Sequence, residues 1–174
     1  VYLVFRGTVL STCINMRQNL NTKRVPFPIA SDDQDQDDQW GKVHKGFYSA
    51  QNSLWPQLMD DGELFARSLF DPEFGRKKFF IGGHSLGGAM AIITAARLAS
   101  ERKVKIIDGV YTFGCPDLFD HDATQRYSEH PMLRGRTFRV EYNGDICTNL
   151  LASFCCGFHH PGESIRIRKE DGRT

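Results

Sequence analysis

The stretch Gly83-His84-Ser85-Leu86-Gly87 sets one hydroxyl between glycines, with "KFFIG" leading in and "LGGAMAIITAARLASER" leading out. The aromatic and β-branched run reads as a strand, and the long apolar run reads as a deeply buried helix. A G-x-S-x-G segment at such a junction has the form of a nucleophile elbow. Its strained turn lifts the serine hydroxyl out of the sheet, and its small neighbours let the backbone close around it. The helix start beyond it favours developing negative charge. The plainer alternative is a tight turn in which Ser85 caps the helix. Strand, glycines and buried helix taken together favour the nucleophile.

A serine hydroxyl needs a histidine base, and the base needs an orienting carboxylate. In the chain order Ser, Asp or Glu, His, the carboxylate is Asp145 in "EYNGDICTN". It follows the expected strand "TFRVEY", and catalytic groups gather at strand C-terminal ends. Asp117 and Asp120, beyond the strand ending at Gly114, are carboxylates that could reach the site from another side. The base falls on His159 or His160 in "GFHHPGES", which the spacing does not separate. His84, inside the elbow, is expected to point away from the nucleophile and pack. His44 is read as structural, and His121 and His130 as surface residues. An oxyanion would be held by the amide of Leu86 and by Thr8, where Gly7 in "VFRGT" lets the backbone approach closely.

Elements that could position these groups are visible as short strand-like runs at "VYLVF", "KFFIG", "VKIIDGVYTFG", "TFRVEY" and "SIRIR". Runs without strict alternation suggest strands buried on both faces, and their alternation with helical spacing predicts an α/β architecture with a mostly parallel sheet. The segment Gly46 to Phe70 reads as helix, broken or bent by Pro56 and Gly62. With 174 residues the chain is expected to be a single domain, 1–174, able to bury a real core.

Charge and composition exclude several classes. The net charge is +1, and the run "SDDQDQDDQ" concentrates acid in one loop, which argues against a nucleic-acid binder. Asp33, Asp35 and Asp37 mimic the start of a calcium loop, but Asp38 and His44 stand where glycine and glutamate are required. Five cysteines at irregular spacing do not read as a disulfide framework and favour a reducing, cytoplasmic setting. A zinc site from Cys147, Cys155, Cys156, His159 and His160 lacks the paired spacing such sites use. No apolar run reaches bilayer length.

The motifs "VFRGT", "KVHKGFY", "GGHSLGGAMA", "YTFGCP", "FRVEYNGDI" and "HHPGE" occur in the order seen in the fungal-type, class 3 lipase family, which the whole chain resembles. The resemblance implies an α/β-hydrolase fold, hydrolysis of acylglycerol or related lipid esters, and no metal or other cofactor. Residue by residue, it implies Ser85 as nucleophile, Asp145 as acid and Thr8 in the oxyanion hole. It selects His160 over His159, because Pro161, Gly162 and Glu163 complete the family's x-G-x-E. Asp117, Leu118 and Phe119 depart from the family's usual continuation after G-x-P, and Cys147 and Thr148 replace its prolines. The family's domain also begins upstream of "VYLVF", so upstream strands and a helix are expected to precede Val1. Within 9–26, Val9, Cys13, Met16 and Leu20 form one helical stripe, which fits a lid contacting a lipid surface as well as a plain core helix. A lipase-like scaffold without turnover is the competing expectation.

Overall fold

The computed structural model describes residues 1–7, 23–27, 39–60, 70–71, 75–101, 104–142 and 157–167. Five of the described strands form one wholly parallel sheet, β1 (Tyr2–Phe5), β6 (Phe80–His84), β7 (Gly109–Phe113), β8 (Thr137–Tyr142) and β9 (Glu163–Ile167), hydrogen-bonded in that order. Tyr2 pairs with Phe80, Phe80 with Gly109, Val110 with Thr137 and Phe138 with Glu163. Two antiparallel ribbons flank it, β2 (Arg24–Phe27) with β3 (Gly41–His44) and β4 (Phe70–Asp71) with β5 (Gly75–Arg76). Among the described residues the helices are α1 (Lys45–Asp60), α2 (Leu86–Ser100) and α3 (His121–Glu129).

The "AMAIITAARLAS" run explains why α2 sits where it does. Alanine and long aliphatic residues favour helix, and with few polar side chains the segment has nothing to offer water. All thirteen residues from Gly87 to Ala99 are buried. Ile92, Ile93 and Leu98 join Ile81 and Val110 of the sheet and Phe47 of α1 in a single core.

Arg97 is the exception in that helix, and it explains how α1 docks. Its Nη1 donates to Gln51 Oε1 at 3.1 Å and Asn52 Oδ1 at 2.9 Å on α1, and its Nε donates to Glu101 Oε1 at 3.0 Å. The guanidinium lies 3.9 Å over the Trp55 ring. A buried cation is tolerated only when paired and hydrogen-bonded, and here both conditions hold.

Two expectations are corrected by the fold. Pro56 does not break α1, which continues to Asp60, while Gly62 lies outside the described residues. The strands are not buried on both faces: Tyr2, Val4, Tyr111, Phe113, Tyr142, Ile165 and Ile167 are exposed, Tyr2 at 77% and Val4 at 70%. Strand side chains alternate, so in β7 Thr112 turns to the helices while Tyr111 and Phe113 turn away. Among the described residues nothing covers this second, apolar face. Sequence reading also did not find β2, β3, the β4–β5 ribbon or α3, whose short runs carry too little periodicity to stand out.

Replacing Arg97 with Ala removes the cation and leaves the buried Gln51 Oε1 without its donor, so it should cost on the order of 2–4 kcal/mol in urea unfolding. Arg97→Lys should recover only part of that, because an ammonium that takes over the Nη1 contacts to Gln51 and Asn52 cannot also reach Glu101 and lay a planar group on Trp55.

Candidate active site

Ser85 follows the last residue of β6 and precedes the first residue of α2, with φ 54° and ψ −124°. Among the described residues it is the one non-glycine with positive φ. Such a backbone costs an L-residue of order 1–3 kcal/mol and persists only where the surroundings dictate it. Here its N–H donates to Phe113 O at 2.9 Å, continuing the β6–β7 ladder. Its carbonyl accepts from Gly88 N at 2.9 Å and Ala89 N at 3.3 Å, opening the helix. The side chain makes no helix-capping hydrogen bond, and the residue is 4% exposed. The capping alternative therefore does not describe this serine.

The glycines are explained by contact. A Cβ on Gly83 would collide with Gly87 O, and one on Gly87 with Phe5 O at the end of β1. On Gly88 it would lie 3.0 Å from Cys115 Cβ, and on Gly7 it would lie 2.5 Å from His84 O. The chain leaving β1 thus runs directly against the elbow, and residue 8 is the next in line. Thr8 itself lies outside the described residues. Leu86 opens α2, so its N–H has no intrahelical acceptor and is free in geometry to serve an anion.

The other expected members are distributed differently. Asp145 lies outside the described residues, as do Cys147, Cys155, Cys156 and 9–22 of the lid segment, while Arg24 and Val25 belong to β2. His84 is exposed and not packed as expected, because the strand's alternation turns it to the open face. His44 is buried at 1% exposure, stacks on Phe47 with ring centroids 4.2 Å apart and accepts Phe47 N at 3.4 Å.

His160 is held, but by a residue sequence reading ranked second. Its Nε2 lies 3.1 Å from Asp117 Oδ1, and its Nδ1 is buried with no hydrogen-bond partner among the described residues. No hydrogen bond joins it to Ser85 among those residues. Burial, followed by the positive field of Arg139 and His159, pushes its pKa down to about 3. The 3.1 Å contact is thus a hydrogen bond from a neutral imidazole to a carboxylate, not an ion pair. Burial raises the Asp117 pKa, with Arg139 and His159 opposing. Arg139 Nη1 meets Glu141 Oε1 at 2.6 Å, completing a small charge cluster.

Comparison with known proteins places the chain. Residues 2–154 match the family model described as lipase (class 3), and the chain belongs to that family. The Rhizomucor miehei lipase is 27% identical over an alignment covering 100% of this chain and 43% of that protein. The tobacco triacylglycerol lipase OBL1 is 34% identical over 84 residues, 45% of this chain and 14% of the relative. The solved Rhizomucor miehei triacylglyceride lipase superposes with TM-score 0.70 at 28% identity, covering 95% of this chain and 56% of that one. A triacylglycerol lipase whose catalytic centre is formed by a serine protease triad superposes at 0.72 with 26% identity, with the same two coverages. The fold is therefore that of the α/β-hydrolases, with a parallel sheet flanked by helices. The chain spans less than half the length of these curated relatives.

Gly83→Ala should prevent the elbow from closing and cost on the order of 4 kcal/mol or more. Gly135→Ala, with φ 65° and nothing within 4 Å of the added methyl, should cost only about 1 kcal/mol. Ser85→Gly should be more stable than Ser85→Ala by about 1 kcal/mol, because glycine accepts the strained backbone freely. Thermal or urea unfolding of the four variants checks both comparisons.

Stability should also fall as the solution is acidified. His160, and His44 with its pKa lowered by burial, bind a proton more readily in the unfolded chain than in the fold. Their contribution is complete above pH ~6.5 and is lost progressively as pH falls toward the depressed folded-state values. Urea midpoints measured from pH 7.5 to 5 should decline, with a flatter slope in His160→Gln.

Proposed function

We propose that this chain carries the nucleophilic centre of a serine hydrolase that cleaves carboxylic esters of lipids. The observation that carries the reading is the Ser85 backbone: a strained serine, enclosed by glycines that admit no side chain, at the C-terminal end of a central parallel strand. A capping serine has no need of that conformation.

In the proposed reaction, Ser85 Oγ attacks the ester carbonyl and gives up its proton to a base. The carbonyl oxygen becomes an anion held by the Leu86 amide and, by chain order, the Thr8 amide. Losing one such donor typically costs about 2.7–4 kcal/mol of transition-state stabilisation. Collapse breaks the ester C–O bond, the base protonates the departing alkoxide, and an acyl-enzyme remains. Water then repeats the sequence and releases the acid. The family resemblance selects His160 as the base and Asp145 as its carboxylate, where chain order alone leaves His159 and His160 open. The hydrogen bonding of His160 in the described residues supports another role for that histidine. The names of the relatives, triacylglycerol lipases among them, support acylglycerols as the substrate class. A transient lipid-surface contact, with the part of segment 9–26 that precedes β2 as lid, belongs to the same proposal.

A fluorophosphonate should label the folded chain at Ser85, and p-nitrophenyl esters of increasing chain length should be hydrolysed with kcat reduced on the order of 10⁴-fold or more in Ser85→Ala. A well-folded chain that takes no label would instead support the non-catalytic scaffold.

A further inference from the structure

We infer that Asp117 and His160 are a positioning pair that braces the wall behind the nucleophile, and that they are not members of its proton relay. The inference rests on the reading of Ser85 as nucleophile.

The wall is the segment 113–119. On one side it holds the elbow: Phe113 O receives the Ser85 N–H at 2.9 Å, and the Cys115 side chain fills the space that glycine leaves at Gly88 in the first turn of α2. On its other side it is held by the lead into β9. His159 N donates to Phe119 O at 2.6 Å, Leu118 N donates to His159 O at 3.3 Å, and His160 Nε2 meets Asp117 Oδ1 at 3.1 Å. His159, Phe119 and Val43 thereby form one short transverse run of bridges.

The strand that follows the pair is entered well below the reacting hydroxyl. The four strands run parallel, and His84 at the top of β6 is in register with Phe113, Val140 and Ile165. β9 is entered at Glu163, opposite Phe138, and a side chain on Gly162 would strike Thr137 at the bottom of β8. Ser85 lies one residue above that register, about 10 Å up the sheet from the β9 entry at ~3.3 Å per residue. A histidine preceding a parallel strand enters from the end opposite to the elbow.

Nitrogen count gives the same answer. A relay histidine uses one ring nitrogen for the serine and one for the acid. Asp117 occupies Nε2, and the remaining Nδ1 is sealed in protein with no partner among the described residues. Around the ring stand Arg139, His159 and, beyond Arg139, Glu141. These groups fix a neutral imidazole in place.

The test uses five variants and one spectrum. Asp117→Asn keeps an oxygen that can accept the Nε2 proton, so its kcat should stay within about fivefold of wild type, whereas a relay acid loses ~10⁴-fold on this change. Asp117→Leu and His160→Leu should each lower the melting temperature by about 5 °C. Both should reduce kcat some ten- to hundredfold at unchanged KM while fluorophosphonate still labels Ser85, and the double variant should be no worse than either single one. Loss of labelling and of at least ~10⁴-fold in kcat by His160→Gln at an unchanged melting temperature would overturn the inference. Should the variants fail to fold, ¹⁵N spectra of the wild-type imidazole decide, with the Nε2-protonated tautomer expected and an Nδ1-protonated one refuting it. Absence of label on wild-type Ser85 would defeat the hydrolase reading, leaving the tautomer and melting comparisons to judge the pair by themselves.

Discussion

Ser85 holds a backbone conformation that an L-residue would leave if it could, and much of the described structure can be understood as what prevents it from leaving. The ladder bond to Phe113 pins the residue from the sheet, and the bonds from Gly88 and Ala89 pin it from the helix. Neither would form without Gly83, Gly87 and Gly88, since a methyl at the first two would meet backbone and at the third would crowd Cys115. Those backbone neighbours belong to β1 and to α2 itself, and α2 is fixed along its entire length by burial. The strain at one residue is therefore balanced against the packing of a whole helix, which is the larger quantity by far.

Arg97 extends that balance to the next layer. A helix buried on every side has little to register it against its neighbour, because aliphatic side chains slide at low cost. Arg97 Nη1 donating to both Gln51 and Asn52, its guanidinium stacked on Trp55, and Gln51 Nε2 donating to Thr94 Oγ1 give α1 and α2 directional contacts within a nondirectional core. The order of influence runs from Arg97 through α2 to its first turn, next to Ser85.

What the sequence revealed tracks the strength of its physical signals. The elbow, the helix behind it and the five strands were legible because burial, small residues and chain direction all agree there. The expected strand cores 1–5, 78–82, 104–114, 137–142 and 164–168 overlap the observed ones. The ribbons β2–β3 and β4–β5 were not legible, since two to four residues establish no period. The open face was misread for a specific reason: Tyr111 and Phe113 are as apolar as the residues that turn inward, so their exposure leaves no trace in composition. The contact of His160 with Asp117 was not foreseen, because spacing along the chain favoured a residue beyond β8, while folding brings the segment after β7 against the lead into β9. Asp145 and Thr8 fall outside the described residues, so their place in the site stays with the proposal.

β9 is the last strand in the sheet order, and all five of its residues are exposed. A border strand with one hydrogen-bonded neighbour and no covering layer is where a sheet begins to unravel. The fastening immediately before it, through His159 to Phe119 and His160 to Asp117, stands between that margin and the elbow. Fraying from the border can consume β9 and still halt there, so the most exposed part of the fold and its most strained residue need not share the same fluctuations.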